Sequence, residues 1–356
     1  MTAELASDAS MVSLDQQIAA ALQLNGRATW REIARLLGTS ESTVARRARA
    51  LLDGGVIRTT VLTDPLRCGT GCPVLLHFAC RPGQAGEVAE ALAARSDVRF
   101  LALVSGAFDV VAEVIVESRD ALARVVVDEL TALPGLLRAT SETVLRTFKL
   151  AYDWSRPLLE PVVAVPRPAR IDVRTPAPQV TLDGVDRALI DLLRVDARRS
   201  YQELAELQGI SESAARRRVD HLFGTGCVTP AVLVDPAFLG YGVEVLFDLR
   251  VDLARLEDVA SALVERPEVR YLSAASGESD LVGEVVLRTH DDLYRFRTRV
   301  LGGLDGIRNV DTALELRPLR RAYLPMEEED GRTLPPHTAS SSSIARSADR
   351  SASRRW

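Results

Sequence analysis

Gly38-Thr39-Ser40-Glu41-Ser42-Thr43-Val44-Ala45-Arg46-Arg47 decides the fold, because it returns as Gly209-Ile210-Ser211-Glu212-Ser213-Ala214-Ala215-Arg216-Arg217-Arg218. A glycine that ends one helix, followed two residues on by a serine that caps the next, is a helix-turn-helix signature. The offset is 171 residues (209 − 38), and it holds on both sides of the motif. Asp15 falls on Asp186, Arg27 on Arg198, Asp64-Pro65 on Asp235-Pro236, Asp109 on Asp280 and Leu145-Arg146 on Leu316-Arg317. The match runs from about Leu14 to Leu150 and from about Val185 to Arg321. Solenoid repeats are single units of roughly 20–50 residues. This unit is longer and has room for its own core, so a two-domain module is duplicated within one chain. Such a chain carries its own pseudo-two-fold partner, which suits DNA half-sites.

Bulk composition is that of a globular protein, 47% apolar and 26% charged. The net charge of −5 confines any nucleic-acid site to a local basic patch. Glu4, Asp8 and Asp15 near the start argue against a signal peptide. No uncharged run approaches the ~18–20 apolar residues of a membrane span, so a soluble, cytoplasmic protein without membrane partners is expected. Cys68, Cys72, His77 and Cys80 crowd one stretch, but their repeat equivalents are Leu239, Val243, Asp248 and Val251. Cysteine is therefore expected to act as a small hydrophobe, with no metal and no cofactor.

The apolar period divides each module in two. Helices are predicted from Leu14, from Thr29 (an N-cap with Glu32 completing a capping box) and from Ser40 to about Leu52, then a strand over Val56–Leu62. The second half reads βαββαβ: Pro73–Cys80, Gln84–Ala94, Val98–Val104, Val110–Val116, Arg119–Ala132 and Leu136–Leu145, the ferredoxin-like order. The same order recurs over Val243–Val251, Leu256–Glu265, Val269–Ala275, Leu281–Leu287, Asp291–Leu301 and Ile307–Leu316. The predicted fold is α+β. Its parts are a tail over 1–12, a helix-turn-helix domain over 13–63, an effector domain over 64–152 and a proline-rich linker over 153–180. The second pair covers 181–234 and 235–325, followed by a disordered Ser/Arg-rich tail over 326–356.

The third helix carries the candidate DNA contacts. Val44, Ala48 and Leu51 share its buried face. Ser40, Ser42, Thr43, Arg46, Arg47 and Arg49, with Ser211, Ser213, Arg216, Arg217, Arg218 and His221 in the repeat, supply hydroxyls for phosphate and guanidinium groups for guanine edges. Asp220 stands where the first copy has Arg49, so the second head is expected to bind more weakly. In the second domain, Ser105-Gly106-Ala107-Phe108-Asp109 and Ser276-Gly277-Glu278-Ser279-Asp280 bridge the middle strands. Their backbone N–H groups suit a carboxylate and their aspartates an ammonium, together an amino acid. Turn geometry alone explains the same residues, and both readings stay open.

On these residues the chain resembles a tandem duplication of the Lrp/AsnC transcriptional regulators. The resemblance rests on Leu14-Asp15, Arg27…Glu32-Ile33-Ala34, the Gly38–Arg47 stretch, Gly55-Val56-Ile57, Asp64-Pro65…Gly69 and the Gly-x-x-Asp hairpins, with their repeats. It implies a winged or helix-turn-helix domain joined to a ferredoxin-like effector domain, with effector domains paired sheet to sheet and an amino acid bound near the interface. It adds Ser141 and Thr312, near the start of the last strands, to the effector residues Ser105, Gly106, Ala107, Asp109, Ser276, Gly277 and Asp280. The expected partners are double-stranded DNA, a small-molecule effector and other copies of the chain, each an intrachain pseudo-dimer. Two alternatives are a siroheme decarboxylase-like enzyme on the same scaffold and a sensor that no longer binds DNA. His77, His221, His290 and His337 do not recur between copies, and no nucleophile–base pair stands out, so a non-enzyme is expected.

Overall fold

A computed structural model describes residues 12–160, 174 and 179–326. The terminal tails expected over 1–12 and 326–356, except residues 12 and 326, and most of the linker fall outside these residues. Each module opens with three helices: α1 (Leu14–Leu24), α2 (Trp30–Leu37) and α3 (Glu41–Asp53) in the first. Ser13 and Thr29 head capping boxes, and the Ser40 hydroxyl accepts the Thr43 N–H. Gly38 closes α2 at φ 64°, a left-handed conformation that side chains with a Cβ resist. There follow β1 (Ile57–Thr63), α4 (Pro65–Cys68), β2 (Cys72–Cys80), α5 (Ala85–Ala93), β3 (Val98–Val104), β4 (Val110–Val116), α6 (Arg119–Ala123) and β5 (Leu136–Leu150). The second module repeats this as α7 (Gly184–Val195), α8 (Tyr201–Gln208), α9 (Glu212–Gly224), β6 (Val228–Val234), β7 (Val243–Val251), α10 (Leu256–Val264), β8 (Val269–Ser276), β9 (Leu281–Leu287), α11 (His290–Arg295) and β10 (Ile307–Arg321), with the short β11 (Leu324–Pro325).

The strand after each third helix crosses to the other module. β1 pairs antiparallel with β6, and Thr60 lies opposite Ala231, its own repeat equivalent. The pseudo-two-fold axis therefore passes through this ribbon. Ile18, Val44 and Ala48 of the first head share a core with Val232 and Val234 of β6, and Leu189 and Val219 of the second share one with Val61 of β1. Each head thus sits on its partner's strand. The start of the expected linker is also built in: Trp154, Leu158 and Leu159 are buried in the first head's core.

The effector domains face each other sheet to sheet, as the resemblance implies, and in addition close on each other edge to edge. Strand order runs β10-β3-β4-β2-β5-β8-β9-β7 and returns to β10, so eight strands form a barrel with the helices outside. The seams are β5–β8 and β3–β10. They also explain why β5 and β10 reach Leu150 and Arg321, beyond the predicted ends: their last residues pair with the other module. On β2, Val74, Leu76 and Phe78 face the helices while Leu75 and His77 face the lumen, and burial on both faces suits its nearly unbroken apolar run. The helix expected over Arg119–Ala132 contains a π-helical stretch, Arg124–Glu129, matched by Phe296–Val300. Val125 and Leu130, like Phe296 and Leu301, are five residues apart and both buried; the wider turn brings such a pair onto one face.

A disulfide and a buried charge network are among the features that break the symmetry. Cys68 and Cys227 form a disulfide, with Cα atoms 5.2 Å apart, which corrects the reading of Cys68 as a small hydrophobe. Their equivalents, Leu239 and Val56, both join the apolar core of the first head. Inside the barrel, Arg99 donates to Glu113 at 2.7 Å and the repeat holds Arg270 on Glu284. Only the second copy adds Glu244, Glu315 and Arg321, whose equivalents are Pro73, Val144 and Leu150. No helix among the described residues is long and apolar enough to cross a membrane.

Protein purified and unfolded without reductant is expected to show two reactive thiols, Cys72 and Cys80, and four after reduction. Reduction should cost roughly 2–5 kcal/mol of stability in urea titrations, because the bridge closes a very long loop. A count of four thiols before reduction would refute the cross-link.

Candidate DNA-reading heads and effector chamber

Both third helices present an open outer face. Ser42, Arg46 and Arg49 on α3 and Ser213, Arg216, Arg217, Asp220 and His221 on α9 are exposed, and Thr43 is half-buried. Ser40 and Ser211 are exposed too, but their hydroxyls already cap the helices by accepting the Thr43 and Ala214 N–H groups. Arg47 and Arg218 are engaged within their own heads. Arg47 reaches back to Asp15 at 3.0 Å, and Arg218 to Asp186 and Asp183 at 2.7 and 2.8 Å. Both tie the third helix to the first and are drawn off the outer face. Arg216 lies over the Tyr201 ring, whose hydroxyl donates to Asp220 at 2.9 Å. The aspartate that distinguishes the second head is thus held against α8.

Besides the β1–β6 ribbon, a reciprocal exchange of arginines joins the two heads. Arg27 donates to the carbonyls of Ala197 and Arg199, and Arg198 to those of Gly26 and Ala28. Each guanidinium also covers an aromatic ring of the opposite head, Tyr201 for Arg27 and Trp30 for Arg198. Sequence reasoning noted that these arginines repeat but found no role for them, since the partner carbonyls belong to the other copy.

In the effector hairpins the aspartates point into the protein. Asp109 accepts the Cys80 N–H at 2.7 Å and Asp280 the Val251 N–H at 2.8 Å. Ser105 exchanges hydrogen bonds with Leu314 across the β3–β10 seam, and Ser276 lies opposite Thr143 on the other seam. These residues hold the turns. Gly277 lies where a Cβ would come within 2.8 Å of Glu142, and the Ser279 N–H donates to Glu142 at 3.1 Å. The carboxylate on the second hairpin is therefore the protein's own. Ser141 is exposed and lies outside the chamber described next, whereas Ala107 and Thr312 line it. Gly106 borders Thr312 and Ala313.

That chamber, about 510 Å³, opens at the hairpin end of the barrel. Phe108, Val104 and Leu246 give it apolar walls; Arg138, Arg250, Glu142, Asp248 and Asp311 give it charge. Its floor is the pair His77 and Asp248, repeat equivalents that meet near the axis at 3.9 Å. Burial lowers the His77 pKa to about 4. Burial, then the charges of Glu142 and Asp311, raise Asp248 to about 7. At that separation, with a neutral imidazole, the pair is not an ion pair. The same two residues border a smaller cavity of about 70 Å³, closed at its far end by Val61, Leu62 and Thr63 of β1. Glu142, Asp248, Arg138 and Arg250 escaped sequence reasoning. The available signal was a charged residue interrupting an apolar strand, as His77 and Asp248 do.

Comparisons with known proteins follow the same division. The AsnC-type helix-turn-helix domain matches residues 13–52 and 182–222, and the Lrp/AsnC ligand binding domain matches 74–153 and 244–324. An uncharacterized HTH-type transcriptional regulator of Pyrococcus abyssi is 32% identical over 38% of this chain and 87% of its own length. The HTH-type transcriptional regulator LrpA of the same organism is 30% identical over 39% of this chain and 99% of its own. Each relative thus spans one module. The siroheme decarboxylase NirDL superposes with a TM-score of 0.56 over 86% of this chain and 93% of its own, at 12% identity, a likeness of fold alone.

The floor pair gives opposed pH effects. Asp248 holds its proton up to about 7 instead of 3.8, so it makes stability fall as pH rises through that window; His77 refuses its proton down to about 4 instead of 6.5, so it makes stability rise between those values. Relative to the parent, Asp248→Asn should steepen the rise in stability between about pH 4.5 and 6.5, and His77→Gln should reverse it toward a fall. Urea midpoints at both ends of that range check the signs; parallel profiles for all three proteins would contradict the assignment.

Proposed function

The chain belongs to the Lrp/AsnC family of transcriptional regulators, with two modules in tandem, and from that premise we propose that one polypeptide reads two DNA half-sites and responds to an amino acid. The observation that carries the reading is the reciprocal Arg27 and Arg198 exchange, which holds two exposed reading helices in one fixed relation. A chain built this way is its own dimer, and larger assemblies are multiples of it. Arg46 and Arg49 of α3, and Arg217 of α9, are the free guanidinium groups proposed for base edges and phosphate; Ser42, Thr43, Ser213, Arg216 and His221 flank them. The heads are unequal because Asp220 replaces Arg49. The cytoplasm, where the DNA is, is the proposed place of action.

An amino acid is proposed to enter the chamber at the hairpin end of the barrel. The exposed Gly106-Ala107 backbone, Thr312 and the Arg138 guanidinium offer donors for its carboxylate. A ligand there presses on the His77–Asp248 floor, and beyond that floor lies the β1–β6 ribbon on which both heads sit. Differential binding to two settings of that ribbon is the physical means of coupling. The likeness to a decarboxylase is one of fold, and no catalysis is proposed.

Arg46→Ala is expected to weaken specific binding by roughly 1–3 kcal/mol and Arg217→Ala by less, while Arg47→Ala leaves base preference intact. Sites recovered by mapping genomic DNA bound to the chain, then titrated with each variant, test this. Equal losses at Arg46 and Arg47 would overturn the assignment of the reading face. Uptake of siroheme with release of carbon dioxide would overturn the regulator reading.

A further inference from the structure

The gap between head and barrel is closed differently on the two sides. Beside the first head, the segment after β5 turns into it. Trp154, Leu158 and Leu159 are buried in one apolar core with Ala19 and Ala20 of α1 and with Tyr241 and Val286 of the second effector domain. Trp154 meets Tyr241 edge to face, with ring centroids 4.9 Å apart, and Ser155 donates to the buried Gln23. In the repeat, Trp154, Leu158 and Leu159 correspond to Pro325, Glu329 and Asp330, so the plug has no apolar counterpart. Thr70 and Ile115 stand where the first side has Tyr241 and Val286, and Asp191 where it has Ala20. Beside the second head these residues, with Glu117 and Arg187, line an open cleft of about 660 Å³. The buried core of the second head takes Val61 and Cys68 from the other module and, among the described residues, no side chain of the effector strands. Cys68 borders the cleft, and its bond to Cys227 ties the start of the first effector domain to the turn between α9 and β6. Apolar burial fastens one head to the barrel; a covalent bond fastens the other. Arg67 adds a polar tie by donating to the Thr225 carbonyl at 3.0 Å, but one hydrogen bond contributes little beside a cross-link that closes a long loop.

We propose that Cys68 and Cys227 form a redox-controlled fastening of the second reading head. Oxidised, the pair fixes that head to the barrel. Reduced, it lets the head move against the open cleft, while the first head, held by Trp154, Leu158 and Leu159, stays fixed in both states. The oxidant is a small-molecule disulfide such as oxidised glutathione. The thiolate of one cysteine attacks it, forming a mixed disulfide and expelling one thiol; the thiolate of the other cysteine attacks the protein-bound sulfur and expels the second. Two electrons pass from the cysteine pair to the small disulfide, and the two cysteine protons end on the two released thiols. Cys68 is 3% exposed and Cys227 0%, so exchange proceeds through opening of the cleft, which no apolar plug resists. A cross-link of this kind in a reducing compartment is a signal rather than a permanent staple. The β1–β6 ribbon and the clasp of Arg27 and Arg198 persist on reduction, so the head is loosened rather than released. Loosening one head lowers the effective concentration of the second DNA contact. The proposal rests on the two-half-site reading only for that consequence at DNA.

The test compares the full chain equilibrated with oxidised glutathione and with dithiothreitol. Beside it runs a double variant, Cys68→Leu with Cys227→Val, which takes the residues of the first side and keeps Cys72 and Cys80. Thiol titration should find two thiols in the oxidised chain and four in the reduced one. Hydrogen exchange read by mass spectrometry should quicken across α7, α8 and α9 on reduction and stay unchanged across α1, α2 and α3. The double variant should show no redox effect. Affinity for recovered DNA carrying both half-sites should fall about tenfold on reduction, and affinity for a lone half-site of the first head should not change. Four thiols after oxidised glutathione, equal exchange of the second head in both states, an equal response of the first head, or a redox effect that persists in the double variant would each overturn the proposal. Faster exchange with unaltered affinity for both half-sites would overturn the control of DNA binding. Absence of DNA binding in both states overturns the two-half-site reading alone, since exchange reads the fastening without DNA.

Discussion

A four-stranded sheet has two open edges, and each edge is a row of backbone donors and acceptors in need of a partner. Here β3 and β5 of one copy find theirs on β10 and β8 of the other, and the two open sheets become one closed barrel. The rest of the molecule depends on that closure. It turns the inner faces of both sheets into a lumen. It also brings β1 and β6 side by side on the pseudo-two-fold axis, so that each head rests on the other copy's strand. In an ordinary dimer such closure is a matter of concentration. Within one chain the second sheet is always present.

Closure also explains where the copies diverge. A residue on the axis of a homodimer must face itself, so a charge there faces a like charge. Duplication lifts that constraint. His77 meets Asp248, Glu142 faces a half that offers Ala313, and a disulfide stands at one pole where the other has the core residues Leu239 and Val56. Glu244, Glu315 and Arg321 fill one end of the lumen, where the first copy has uncharged residues. The network is satisfied because the guanidinium groups of Arg270 and Arg321 lie between the acids; a buried charge without such partners would destabilise the fold.

The local periods and caps of each module were legible in the sequence. Gly38 and Ser40, the Thr29–Glu32 box and the buried stripe Val44, Ala48 and Leu51 took their expected places, because a helix is governed by contacts three and four residues apart. The candidate site was legible in part. The outward arginines Arg46 and Arg49 follow from the same stripe by subtraction. Arg47 did not, since its partner Asp15 is on another helix. Asp109 and Gly277 were recognised as turn residues, but what they hold, the Cys80 N–H and the Glu142 side chain, lay beyond the reach of spacing.

The sequence by itself determined that there are two copies, which elements each contains, their order and the faces they bury, since all of these are set by residues near one another along the chain. Tertiary structure alone decided that the sheets meet edge to edge, that Arg27 and Arg198 clasp the opposite head, that Cys68 finds Cys227, and that Glu142 and Asp248 share one chamber. Each of those contacts joins residues from different copies, more than 100 positions apart in sequence (Glu142 to Asp248 is 106, Cys68 to Cys227 is 159). No local period records such a contact; it arises when two incomplete edges satisfy their backbone hydrogen bonds on each other.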